Sequence, residues 1–266
     1  MEQVILIRGG GDIASGVALR LFRSGYKILI TELKEPLTVR RKVSFSEAIY
    51  SGFITIEGTT ARRVLSINEI SDFFQKNEIP VIVDENVEIL NTSRYNFPVL
   101  IDARMEKKPA DTYLFQTVPL LIGIGPGFTV GYDCHIVIES NRGHFLGRIY
   151  RQGKALEDTR YPSGDPARIL RAPTDGRILT QSKIGNILES GSLIATINGL
   201  PVLAPFTGLL RGLIHSNLVV YKGMKIGDMD QRTDPDLCNF VSDKAMAIAG
   251  SVLEVILSDA HLLPAN

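Results

Sequence analysis

Two stretches of the chain place chemically able side chains at usable spacings. The first is Arg8-Gly9-Gly10-Gly11-Asp12-Ile13-Ala14. Gly9, Gly11 and Ala14 fit G-x-G-x-x-G/A, where one small residue makes the turn, one lets backbone approach a phosphate and one lets a helix pack on a strand. An anion there would meet the free N–H groups of a helix start, so Gly9, Gly10, Gly11 and Asp12 form a candidate phosphate cradle. Glu32 lies 21 residues beyond Gly11, the spacing at which an acid meets a ribose hydroxyl. Arg40 and Arg41, followed by Lys42, can serve a further phosphate or an acidic partner, or form a solvated charge run. Glycine-rich turns also occur in α/β folds that bind no dinucleotide, so plain turn chemistry is the competing reading.

The second stretch runs from Asp133 through Cys134, His135 and Glu139 to His144. As a strand, its period of two puts Asp133, His135, Val137 and Glu139 on one face. With His144 folding back after Gly143, the group can ligate a metal or move a proton; a hydrogen-bonded strand face is the alternative. Side chains two positions apart on a strand stand about 7 Å apart, and metal ligand distances are about 2 Å, so one ion could hardly span the set. A general base at His135, oriented by Asp133 or Glu139, is preferred, and no metal is expected. Nothing supplies a base for Cys134 as a nucleophile. A further turn, Gly123-Ile124-Gly125-Pro126-Gly127-Phe128, is broken by Pro126, so Gly125 and Gly127 hold a tight backbone that serves ligand contact or packing.

These residues need elements to hold them. Residues 4–7 form an apolar run before the glycines, and Ile13, Val17, Leu21 and Phe22 share a helical face after them. Residues 28–31, 81–84 and 99–102 are similar short apolar runs, as in strands buried on both faces of a parallel sheet. A doubly wound sheet with its crevice off the carboxyl ends would put the glycine turn, Glu32, Asp84 and Asp102 on one rim. Residues 44–50 read as a short helix capped by Ser44 or Ser46. Residues 153–166 shift to turn-forming types and mark a linker.

Beyond the linker, Ala172-Pro173-Thr174-Asp175-Gly176 matches Ala204-Pro205-Phe206-Thr207-Gly208, and Gly191 with Ile194 matches Gly223 with Ile226, at one offset of 32 residues. A constant offset with shared turn residues indicates a duplicated unit whose halves close on each other. Ser242 and Asp243 then cap a helix expected to dock on one of the domains or on a second copy of the chain. The expected fold class is α/β: a Rossmann-like parallel-sheet domain over 1–160, a small all-β barrel-sandwich domain over 168–232 and a C-terminal helix over 240–258.

With 29 basic and 29 acidic residues the chain has no net field to attract nucleic acid or membrane. Cys134 and Cys238 form no C-x-x-C, which fits a reducing cytosol. Neither a basic leader nor a long apolar span is read, so a cytoplasmic protein is expected.

The repeat resembles the biotinyl/lipoyl-type barrel sandwich, in which carriers present a lysine on the hairpin between the halves. Thr196-Ile197-Asn198-Gly199-Leu200-Pro201 stands there instead, so no biotin or lipoate is expected. Residues 8–18, Arg40-Arg41-Lys42-Val43-Ser44-Phe45, Gly125-Pro126-Gly127-Phe128 and residues 141–148 together resemble the YqeB family. That resemblance implies an accessory role in maturing a selenium-dependent molybdenum hydroxylase. The hydroxylase and its maturation machinery would be the partners, and molybdenum cofactor or a nucleotide the phosphate-bearing ligand. The first part loosely resembles the Rossmann portion of XdhC-type maturation proteins, which handle molybdenum cofactor. The family supplies no catalytic residue. Two other readings stand beside it. One is an NAD(P)-dependent oxidoreductase using Glu32 on the ribose; the other is a non-catalytic assembly scaffold, for which removing residues from about 168 onward should spare the first domain.

Overall fold

A strand whose side chains are apolar on both faces must lie inside a sheet covered on both sides. Residues 4–7 meet that condition: Ile5 and Ile7 enter one core, Val4 and Leu6 another. The computed structural model describes residues 1–106, 112–158 and 165–259. In it this run forms β1 (Glu2–Arg8), followed by α1 (Asp12–Arg23) and β2 (Ile28–Glu32). Then come α2 (Ala48–Ser51), β3 (Phe53–Ile56), β4 (Thr59–Val64), α3 (Ile70–Gln75), β5 (Ile79–Val83), β6 (Tyr95–Asp102), β7 (Leu120–Ile124), β8 (Ile136–Ile138) and β9 (Ile149–Tyr150).

These strands form one nine-stranded sheet in the order β3-β4-β5-β2-β1-β6-β7-β8-β9. β4 to β8 pair in parallel, while β3 and β9 close the edges antiparallel. The strand order reverses at β1, which pairs with β2 on one side and β6 on the other. A crevice off the carboxyl ends at such a point is the usual ligand position in open α/β sheets.

Two local expectations are corrected. Residues 44–50 do not form one capped helix: the Ser44 hydroxyl donates to the Arg40 carbonyl, and a 3-10 turn over Phe45–Glu47 precedes the single turn of α2. The strand expected over 133–139 shrinks to β8, because Asp133 turns back to accept the Thr129 N–H at 2.7 Å.

Eight more strands follow: β10 (Ile169–Arg171), β11 (Gly176–Thr180), β12 (Ile187–Leu188), β13 (Leu193–Ile197), β14 (Leu200–Leu203), β15 (Gly208–Leu213), β16 (Val219–Val220) and β17 (Lys225–Asp230). They make two four-stranded antiparallel sheets, β10-β17-β15-β12 and β14-β13-β11-β16, around one shared core. A shift of 32 residues carries β10 to β13 onto β14 to β17 and turns one sheet order into the other. Each sheet therefore takes two strands from each half, and neither half can bury its apolar face alone. The bonds repeat as well: Gly223 N–H donates to Ala172 O and Gly191 N–H to Ala204 O, both at 2.8 Å. Both glycines are left-handed, at φ +83° and +84°, where a Cβ is strained.

The last helix, α4 (Asp243–Ser258), starts with the Ser242 hydroxyl accepting the Ala245 N–H and then lies along α1. Ala245, Ile248, Ala249, Val252, Val255 and Ile256 join Ile13 and Val17 in one core of the large sheet. Removing everything beyond 168 would strip that core and so would not spare the first unit, contrary to expectation. Among the described residues no helix is long and apolar enough to cross a membrane. The α1/α4 contact is tight at Gly16, where an added Cβ would lie 2.7 Å from that of Ala245. Gly16→Val should force the helices apart and lose about 1–3 kcal/mol, seen as a lower urea midpoint; an unchanged midpoint would refute a tight crossing.

Candidate functional site

The three glycines after β1 do different work. Gly9 is left-handed at φ +92°, and Gly10 has no room for a Cβ, which would meet Ser46 N at 2.8 Å. Gly11 has ordinary φ of −66° and nothing within 4 Å of where its Cβ would stand. The fold thus requires the first two and leaves Gly11 open. As the N-cap of α1, Gly11 brings no capping side chain, so the first-turn N–H groups have no side-chain acceptor among the described residues. Ala14 is fully buried where α1 meets the sheet.

Glu32 braces this turn. Its Oε2 accepts the Gly10 N–H and its Oε1 the Leu33 N–H, each at 2.7 Å. Burial pushes its pKa up, and the two backbone donors partly offset that. Both oxygens are bonded within the chain and are not held out toward a ribose. Asp84 caps Glu88 and Ile89 N–H groups, while Asp102 is buried against Arg104 and Arg8.

Beside the turn, Asp12 and Ile13 line a cleft of about 850 Å³ between the carboxyl edge of the large sheet and the β10-β17-β15-β12 sheet. That volume is ample for a nucleotide-sized ligand. The start of α4 also lines it, so two helix N-termini with their partial positive charge meet there. Eight cationic and six anionic side chains line the walls, leaving them net positive in a chain of zero net charge.

Most of these charges are paired. Buried Asp228 is held by Arg168 at 2.5 Å and by Arg211 Nε at 2.8 Å. Arg232 and Arg211 bond Asp230, and the Arg232 bond chiefly holds that carboxyl down at about 2. Asp243 is also held at about 2, chiefly by its bond to Arg142. Arg40 sits between the units: Nη2 donates to Leu237 O at 3.1 Å and Nη1 lies 3.9 Å from Asp12. Its side chain is only 10% exposed, and its Nε has no partner among the described residues. Burial pushes its pKa down. Arg41 turns elsewhere, donating from Nε to Leu213 O at 2.8 Å and approaching Glu47, which also meets His215 Nε2 at 2.9 Å. It joins the two sheet systems.

The second sequence group is dispersed over separate bonds. Asp133 closes its own turn, and Glu139, fully buried, accepts the Asn141 and Leu156 N–H groups at 2.6 and 2.7 Å. His135 accepts the Leu121 N–H on Nδ1 at 2.9 Å and packs its ring on Phe115, while His144 is exposed. No group of three or more His, Cys, Asp or Glu among the described residues is placed to hold a metal. Cys134 is buried and its thiol is pushed up, chiefly by that burial. Gly125 and Gly127 are left-handed at φ +82° and +107°, and a Cβ at Gly125 would lie 2.6 Å from Ser140 Oγ, so packing fixes Gly125; Pro126 lines the cleft.

Sequence reasoning missed Arg171, Arg211, Lys225 and Asp228. A signal existed in the duplication: the positions 32 residues away hold Leu203, Leu179, Leu193 and Thr196. Charges that replace leucines in one half only mark a face with a different neighbour.

This is an α/β protein with a charged cleft between a mainly parallel sheet and a duplicated antiparallel unit. The chain is 40% identical over 265 residues to the uncharacterized protein YqeB of Escherichia coli K12, a match covering 98% of this chain and 48% of that protein. The chain spans about half the length of that relative, and identity at this level over nearly all of it supports the YqeB family. No protein-family model matches. Among solved structures it is similar to an aspartoacylase family protein from Mesorhizobium loti, at 12% identity and a TM-score of 0.29, covering 86% of this chain and 84% of that one. It is also similar to the ectoine utilization protein EutE (DoeB) from Ruegeria pomeroyi, at 12% identity and 0.27, covering 86% and 85%.

The His135 geometry has a pH consequence. Burial lowers its pKa in the folded chain, so near the ordinary value of about 6.5 the unfolded chain binds more protons. The stability it contributes is complete above that value and falls as pH drops through it. His135→Asn keeps an acceptor for Leu121 and removes the titration, so its stability should fall less between about pH 7.5 and about pH 5.5. Equal slopes in urea denaturation would refute this.

Proposed function

We propose that this chain is an accessory factor in the maturation of a selenium-dependent molybdenum hydroxylase, acting in the cytosol. Its ligand bears phosphate, as molybdenum cofactor and nucleotides do, and binds with that phosphate against the helix start at residues 11–13. The pathway rests on the family resemblance. The ligand rests on one observation above all: Gly11, which the fold does not need, opens beside a net positive cleft at an uncapped helix N-terminus. In this reading the first unit is Rossmann-like, with Gly9 and Gly10 shaping the turn and Arg40 flanking the phosphate. The duplicated unit is a barrel sandwich that serves as the second wall of the cleft and is not a carrier. Asp12 is directed to Arg40, which offsets its charge near an incoming anion.

Calorimetry with NAD, NADP, CTP, ATP and purified molybdenum cofactor tests the reading. Gly11→Val should weaken binding about tenfold or more and cost about 1 kcal/mol or less in stability, because its side chain enters open space. Binding of none of the five, or unchanged affinity in the variant, would overturn it.

An assembly scaffold is a second reading, favoured by the outer face of β14-β13-β11-β16. There Leu179, Leu193, Leu203 and Val219 stand 50%, 42%, 47% and 45% exposed. Leu179→Glu combined with Leu193→Glu should end co-purification with the hydroxylase and spare ligand binding. Undiminished co-purification would remove this reading.

A further inference from the structure

The register of β10 on β17 sets Arg171 directly opposite Lys225. Like charges opposed across a strand pair are destabilising, and the neighbouring cations do not share this condition: Arg168 and Arg211 bond Asp228, Arg232 bonds Asp230 and Arg142 bonds Asp243. Lys225 makes no hydrogen bond or ion pair among the described residues, and Arg171 donates only to the Gly223 carbonyl, at 2.8 Å. Both line the cleft.

The sister sheet shows that the fold does not require these charges. Its equivalent positions carry Leu203 and Leu193, paired in the same register. The cation pair therefore belongs to the cleft-facing sheet alone. Lys225 is solvent-exposed, yet desolvation by the cleft walls, together with Arg168 and Arg211, pushes its pKa down against the pull of Asp228 and Asp12, and an added anion would offset the repulsion between the opposed Arg171 and Lys225.

We infer that Arg171 and Lys225 form an oxyanion subsite that receives a phosphate or comparable group of the cleft's ligand, on the wall contributed by the duplicated unit. The inference rests on the reading of the cleft as a ligand site and deepens it: the ligand carries an anionic group at this wall in addition to the one at the helix start. The guanidinium offers paired planar donors and the ammonium a mobile point charge, a combination suited to a tetrahedral oxyanion.

The test uses the full chain and inorganic pyrophosphate as probe, followed by calorimetry at low salt. The wild type should bind, and Arg171→Met and Lys225→Met should each weaken binding about tenfold or more, the worth of one charge-assisted hydrogen bond. Arg177→Met, on the other sheet, should leave it unchanged. Lys225→Met should melt no lower than wild type, since it loses no bond and relieves a like-charge contact. No wild-type binding, or unchanged affinity in both cleft variants, would overturn the subsite. Loss in Gly11→Val with retention in both cleft variants would overturn it while leaving the helix-start reading intact. Loss in the cleft variants with retention in Gly11→Val would support it even where the helix-start reading fails.

Discussion

The peptide at Gly10 is the joint on which the cleft depends. Its N–H is taken by Glu32 at 2.7 Å, and its carbonyl accepts from Ser46 N at 2.8 Å and Ser15 Oγ at 3.1 Å. One small peptide thereby fixes the end of β2, the start of α1 and the loop over residues 38–47. That loop reaches in turn to the duplicated unit, where Val39 O accepts the Leu213 N–H at 2.9 Å and Arg41 Nε donates to Leu213 O. Arg40, next to it, holds the Leu237 carbonyl ahead of α4. A side chain at position 10 would displace Ser46 and with it the whole set of contacts. The separation of the two cleft walls is thus controlled from the glycine turn.

Much of this architecture was legible because it follows from burial and chain geometry. β1, β2, β5 and β6 read as apolar runs since each is covered on both faces. The duplication was legible because left-handed glycines and Ala-Pro entries cannot drift without breaking paired bonds. β4 was not legible: Arg62 and Arg63 interrupt it, with Arg62 at the surface bonding Glu78. The docking of α4 was undecided because an apolar face does not name its neighbour; Gly16, which admits Ala245, held the answer. Asp133, His135 and Glu139 misled for a related reason. Alternation on paper assumes a continuous strand, whereas turn bonds end it at both sides of β8.

The duplicated unit shows where its halves are constrained. Inward positions keep their character across the repeat: Ile178 with Leu210, Ile194 with Ile226, Ile197 with Met229, all in one core. A shared core tolerates little change of polarity or volume. Outward positions have no such partner. Leu179 corresponds to Arg211 in the repeat, Leu193 to Lys225 and Leu203 to Arg171, so the halves differ mainly in what they present outside. The charged face looks into the cleft and the leucine face away from it, and one fold thereby carries two unlike surfaces.

The balance of charges within the cleft decides how it can select a ligand. Asp228 is almost fully buried, and a carboxylate in that position is tolerable only with well-placed partners. Arg168 and Arg211 supply them, so their guanidinium groups are held in place and their charge is largely spent within the wall. Asp230 and Asp243 treat Arg232 and Arg142 in the same way. A bulk polyanion would find these four cations already occupied. Among the described residues Lys225 and Arg171 on one wall make no bond to a carboxylate, and the start of α1, with the buried Arg40 near Asp12, stands on the other. Selectivity then comes from position: an anion gains most where it reaches the helix start and the pair of Arg171 and Lys225 together, because the other cations already have carboxylate partners and each added charge-assisted bond is stronger than a neutral one.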